Sequence, residues 1–128
     1  MIEFAAKKRW ILASINYLEA ARNLVNELED KKAEDIILLD LREIAIFTDF
    51  FIICSGTSDR MIRSLERTAI ETMSSQYGLK GRVEGNPSNG WIAIDFNDIV
   101  MHIFSPAQRG YYKLEQLWAD SKILLRVK

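Results

Sequence analysis

Two short apolar runs, Ile36 to Leu41 and Phe50 to Cys54, bracket a polar bend, and the second leads directly into Ser55-Gly56-Thr57-Ser58. Uninterrupted apolar runs of this kind, bounded by turn chemistry, predict strands buried on both faces, so the core is expected to be a sheet covered on both sides. Residues 42 to 49 are too few for a parallel crossover, which usually needs about a dozen. The two strands are therefore antiparallel or not adjacent.

Upstream, Tyr17, Leu18, Ala21, Leu24, Val25 and Leu28 recur at helical spacing, with Glu19, Arg22, Asn23, Asn26, Glu27 and Asp30 on the remaining positions. Glu3 to Ala13 either extends this helix or precedes it as a separate arm, because Trp10, Ile11 and Ile15 add apolar surface without a sharp cap. Downstream, Ser58 can cap a helix whose inner face is Ile62, Leu65, Ala69, Met73 and Gln76, and Gly78 stands where a left-handed terminating residue is wanted. A right-handed crossover to a strand near Arg82 to Glu84 is expected next.

Pro87 and Gly90 then break the chain ahead of residues 91 to 96, and Asn97-Asp98 joins that run to residues 99 to 104 as a two-residue hairpin loop. Alternation puts Ile92, Ile94 and Phe96 on a core face and Trp91, Ala93 and Asp95 on the other. Ser105-Pro106 has the form of a helix start, after which Tyr111, Leu114, Leu117 and Trp118 are placed to pack on the sheet. The expected fold class is α/β: one domain, a mixed sheet flanked by helices, and an N-terminal helix. Residues 1–32 read as a helical arm of the domain, 33–120 as its core and 121–128 as a C-terminal tail.

Composition narrows the function. The chain has 128 residues, enough for one domain that buries roughly two-thirds of the surface its unfolded chain exposes. Seventeen basic residues face eighteen acidic ones for a net charge of −1, which argues against a partner held by bulk attraction to phosphates, so no direct nucleic-acid readout is expected. The single cysteine, Cys54, lies in an apolar run and reads as a core thiol in a reducing compartment. No apolar run reaches membrane-span length, and MIEFAAKKRW lacks the apolar region of a secretory signal, so the whole chain is expected to be the mature protein, without a membrane partner.

Candidate chemistry is sparse. Ser55-Gly56-Thr57-Ser58 is a strand-to-helix turn whose N–H groups could hold a phosphate, with Arg60 and Arg63 nearby, but it lacks the lysine and glycine spacing of a P-loop. Asp95 and Asp98 are spaced wrongly for a metal-binding pair on one strand face, since position 97 is Asn and Asp98 belongs to the turn. His102 is the sole histidine and has no evident nucleophile or second imidazole beside it. No catalytic residue, metal or cofactor is assigned.

The surface that alternation creates is more suggestive, because Trp91 stands beside Ala93 and Asp95, with Glu84 before it and Tyr111 and Tyr112 after it. Aromatic residues ringed by acids suit a protein-binding patch for a basic partner. The alternative is that Trp91 packs under the C-terminal helix.

These blocks occur in an order that resembles the ribosomal silencing factor (Iojap) family. The run from Asp35-Ile36-Ile37 to Asp40, then Phe47 through Ser58, Val83-Glu84-Gly85, Gly90-Trp91-Ile92, Asp95-Phe96, Asp98-Ile99-Val100, His102-Ile103-Phe104, Tyr112-Lys113-Leu114-Glu115 and Leu117-Trp118 are all similar to its pattern. Together they span about Leu24 to Asp120. The resemblance implies a nucleotidyltransferase-like fold without the catalytic carboxylate arrangement, and a non-enzymatic translation repressor. Such a protein binds the fourteenth protein of the large ribosomal subunit and sterically blocks joining of the small subunit when nutrients are scarce. It further implies a partner-binding surface of Trp91 as anchor with Glu84, Asp95, Asp98 and Tyr112, and a homodimer when free. The family has organellar members, but MIEFAAKK carries Glu3 and no arginine-rich, serine-rich presequence, so a bacterial cytoplasm is the expected home. Two features depart from the family pattern: the N-terminal extension with Trp10, and Gly110-Tyr111. The rival from another class is a nucleotide-binding or nucleotidyl-transferring enzyme using the Gly56 turn with Asp95 and Asp98.

Overall fold

The computed structural model describes residues 15–128, so the readings of Glu3 to Ala13 fall outside the described residues. Helix α1 (Tyr17–Asp30) opens on Asn16, whose side chain accepts the Glu19 N–H at 3.1 Å. Its apolar stripe buries Ala20, Ala21, Leu24, Val25 and Leu28, which makes α1 part of the core layer.

After α1 come β1 (Glu34–Asp40) and β2 (Phe50–Ser55), which pair antiparallel with Leu38 opposite Ile52. Every residue of β2 is buried, as its uniform apolar composition predicts. Cys54 is among them, and burial pushes its thiol pKa up to about 12, which fits an inert core thiol.

Helix α2 (Asp59–Tyr77) starts at Ser58, whose side chain accepts the Met61 N–H at 3.1 Å. It ends at Gly78, where φ is 65°, with the Leu79 N–H reaching back 3.0 Å to the Met73 carbonyl. Ile62, Leu65, Ala69 and Met73 are buried as expected. Gln76 is not: the last turn of α2 faces α1, where Asn23 donates to the Gln76 side chain, and Thr72 takes a buried place instead.

The chain continues through β3 (Arg82–Asn86), a 3-10 turn (Pro87–Asn89), β4 (Trp91–Asp95) and β5 (Ile99–Phe104). Strands β3, β4 and β5 form an antiparallel meander, and β5 lies parallel to β2 with Ile53 opposite His102. Asn97, at φ 84°, and Asp98 make the expected hairpin turn, across which the Phe96 N–H donates to the Ile99 carbonyl at 2.8 Å.

Helix α3 (Pro106–Tyr112) begins at Ser105, which accepts the Gln108 N–H at 3.2 Å, and Lys113, at φ 48°, separates it from the single turn of α4 (Leu114–Leu117). That break resets the helical phase. Leu114 and Trp118 consequently pack on the sheet, whereas Tyr111 and Leu117, expected to do so, are 78% and 74% exposed.

Residues 121–128, read from the sequence as a tail, supply β6 (Lys122–Val127), antiparallel to β1 with Leu125 opposite Leu38. The sheet has six strands in the order β3-β4-β5-β2-β1-β6. One face, with Ile36, Leu38, Ile52, Ile94 and Ile103, is covered by α1 and α2. The other, with Ile37, Leu39, Phe51, Ile53 and Phe104, is covered by Leu114 and Trp118 and has Trp91 at its margin. No helix of the described residues is long and apolar enough to cross a membrane.

Candidate partner-binding face

Cross-strand register builds this face, because residues directly opposite one another in neighbouring strands share a side of the sheet. One row runs Glu84, Ala93, His102, Ile53 and Ile37, from the exposed β3 edge to the buried centre. The next row places Asn86 opposite Trp91 and Trp91 opposite Phe104. Trp91 stacks on Phe104 at 4.9 Å between ring centroids with 29° between planes, and its outer side meets Tyr112 at 4.6 Å. Its indole N–H donates to His102 Nδ1 at 3.1 Å.

The strand edge, the 3-10 turn and the end of α3 enclose a cavity of about 330 Å³ lined by Glu84, Gly85, Asn89, Trp91, Ala93 and Tyr112. Tyr112 is 46% exposed and Trp91 half-buried, so an aromatic wall is open to solvent beside a carboxylate. Gly85 brings β3 close. At φ 98° its Cα faces the Trp91 carbonyl, and a Cβ there would lie 2.4 Å from that oxygen.

Asp95 and Asp98 do not line the cavity. Asp95 shares the Trp91 side of β4 but is engaged with Arg82 at 3.2 Å and with the Asn97 N–H at 2.8 Å. Asp98 sits at the hairpin end, where its carbonyl accepts the Asp49 and Phe50 N–H groups, each at 3.0 Å. Partial burial, and then the neighbouring Asp49 charge, raise its carboxyl above the usual carboxylate range.

Residues 14–127 match the family described as "Ribosomal silencing factor during starvation". The chain belongs to the ribosomal silencing factor family. It is 36% identical over 98 residues to the ribosomal silencing factor RsfS of Halalkalibacterium halodurans, covering 76% of this chain and 83% of that protein. To the ribosomal silencing factor RsfS of Bacillus subtilis it is 36% identical over 96 residues, 74% of this chain and 80% of that one. A crystal structure of a Chromobacterium violaceum protein is similar with a TM-score of 0.77 at 30% identity, covering 82% of this chain and 88% of that one.

In this ribosomal silencing factor family member the Ser55-Gly56-Thr57-Ser58 turn is tied into the fold. Gly56 N–H donates to the Phe104 carbonyl at 2.9 Å, Ser58 caps α2, and Ser55 Oγ accepts from Arg109 Nη1 at 3.0 Å. Among the described residues no group of three or more histidine, cysteine, aspartate or glutamate side chains is placed to hold a metal ion. Sequence reasoning missed Gly85 and Asn89 as lining residues, and missed the bond from Trp91 to His102. Asn89 lies in a loop with no periodicity to assign it. The contact with His102 is a diagonal one across the Asn97-Asp98 hairpin, whose loop length fixes the register, but alternation assigns only faces and does not say which diagonal neighbours bond.

Proposed function

We propose that this protein represses translation by docking the Trp91 face on the large ribosomal subunit, through its fourteenth protein, and obstructing the small subunit sterically. The observation that carries the reading is a partly buried tryptophan, braced by Phe104, Tyr112 and His102, beside an open cavity rimmed by Glu84. A large aromatic side chain held in place at a partly desolvated centre is the usual energetic anchor of a protein interface. Glu84 at the rim favours a basic partner, as a ribosomal protein typically is, and Tyr112 extends the aromatic surface. Asp95 and Asp98 lie outside the cavity and serve as flanking charges that steer approach.

Family membership supports ribosome silencing during starvation, in the cytoplasm where bacterial ribosomes work. The nucleotidyltransferase reading finds less support, because Asp95 is paired with Arg82 and Ser55 with Arg109. Sedimentation of the protein with separated subunits is the test. Comigration with large subunits alone, with loss of assembled ribosomes, is the expected result. Absence of binding to either subunit, together with magnesium-dependent thermal stabilisation by a nucleotide, would favour the enzyme instead.

A further inference from the structure

Trp91 owes its orientation to the neighbouring strand. Its Nε1–H donates to His102 Nδ1 at 3.1 Å, and the imidazole is itself wedged edge-on against Phe51 at 4.9 Å and nearly parallel to Phe104 at 6.2 Å. Only 8% of His102 is accessible, so the acceptor has little room to swing. Ala93 stands directly opposite His102, and its single methyl leaves space for the indole to lean diagonally across.

The imidazole makes no other hydrogen bond. An Nδ1 that accepts leaves the proton of the neutral ring on Nε2, and Nε2 is buried without a partner. Burial keeps the ring neutral, which that acceptor role requires. A polar ring in an aromatic cluster, only half satisfied, is a poorer core residue than an apolar one of similar size. What the histidine supplies that an apolar residue would not is the bond to Trp91.

We infer that His102 is a positioning residue for the partner-binding face, fixing the Trp91 indole in the orientation that lines the cavity before any partner arrives. This rests on the docking role given to Trp91 above. A tryptophan already held in its bound orientation loses less rotamer freedom on association, so removing the brace weakens binding by roughly three- to tenfold.

The test compares wild type with His102→Leu and His102→Asn, whose side-chain oxygen can stand near the Nδ1 position. In ¹⁵N spectra of the full chain the three tryptophans give three indole signals, and a Trp91→Phe variant assigns the relevant one. In His102→Leu the Trp91 indole proton should exchange with solvent about tenfold faster, consistent with loss of one hydrogen bond, and affinity for large subunits should fall by the stated factor. His102→Asn should retain most of both, and in a Trp91→Phe background His102→Leu should cost no further affinity. Unchanged indole exchange or unchanged affinity in a folded His102→Leu overturns the inference, as does His102→Asn binding as weakly as His102→Leu. If His102→Leu fails to fold, His102→Asn against Trp91→Phe decides: equal losses overturn the assignment. Should wild type itself bind no large subunit, the docking role fails, while indole exchange still judges the brace separately.

Discussion

Arg109 of α3 donates from Nη1 to the carbonyl of Asp35 at 2.8 Å, joining positions 74 apart at the point where β1 bulges. Asp35 adopts φ 50° there. The same guanidinium donates to Ser55 Oγ at 3.0 Å and to Glu115 at 3.1 Å, so it clasps β1, β2 and the α3–α4 segment together. Replacing Arg109 with Met should cost about 3 kcal/mol, because it leaves the half-sheltered Glu115 carboxylate and a buried hydroxyl without their donor. Arg109→Lys should recover only part of this, since one ammonium cannot reproduce the planar fork. Urea unfolding of both variants gives the comparison.

Trp91→Ala should weaken large-subunit binding by at least about 2 kcal/mol, roughly thirtyfold, if the aromatic anchor dominates the interface. Cosedimentation at graded concentrations measures this, with circular dichroism confirming that the sheet persists. Binding at wild-type strength would remove Trp91 from the interface.

Gly85→Ala forces a Cβ to within 2.4 Å of the Trp91 carbonyl, at a φ of 98° that other residues rarely adopt. A loss of about 2 kcal/mol is expected from strain and local distortion. The damage should concentrate at the exposed β3 edge, so amide exchange there should accelerate well before β2 and β5 are affected.

Burial pushes the His102 imidazole down to about 4, and its ring neighbours Phe51, Trp91 and Phe104 carry no charge. The unfolded chain, with a histidine near 6.5, therefore binds this proton more tightly than the folded one. The associated stability is complete above about pH 6.5 and declines as pH falls, with a total loss of roughly 3 kcal/mol once both states are protonated. Chemical denaturation between pH 7 and 4 should show wild type losing stability faster than His102→Asn, the difference isolating this group from the carboxylates.

Asp98 has the opposite sign. Its raised pKa means that the native state disfavours the charged form, so Asp98→Asn should raise the melting temperature at pH 7. That gain should vanish in acid, where the carboxyl is protonated whether the chain is folded or not. A steering role at the interface would show as a slower, more salt-sensitive association of the same variant with large subunits.

Local chemistry and period determine what the sequence alone conveys about this protein. The capping by Ser58 and Ser105, the left-handed stop at Gly78, the hairpin at Asn97-Asp98 and the inward set Ile92, Ile94, Phe96 each depend on residues within a turn or two of one another. The same alternation put Trp91 on the opposite side from the core, and the ordered blocks from Asp35 to Trp118 identified the family. Tertiary structure decided the rest, because those features depend on which distant segments become neighbours. The pairing of β6 with β1 brings Leu125 opposite Leu38, and nothing near residue 122 announces it. The phase of Leu114 and Trp118 hangs on one left-handed residue, Lys113, which carries no glycine signal. The hairpin at Asn97-Asp98 sets His102 diagonal to Trp91, but only the parallel register of β2 with β5 lays Phe51 against the imidazole and buries it, which is what fits a lone histidine for the bracing role proposed above.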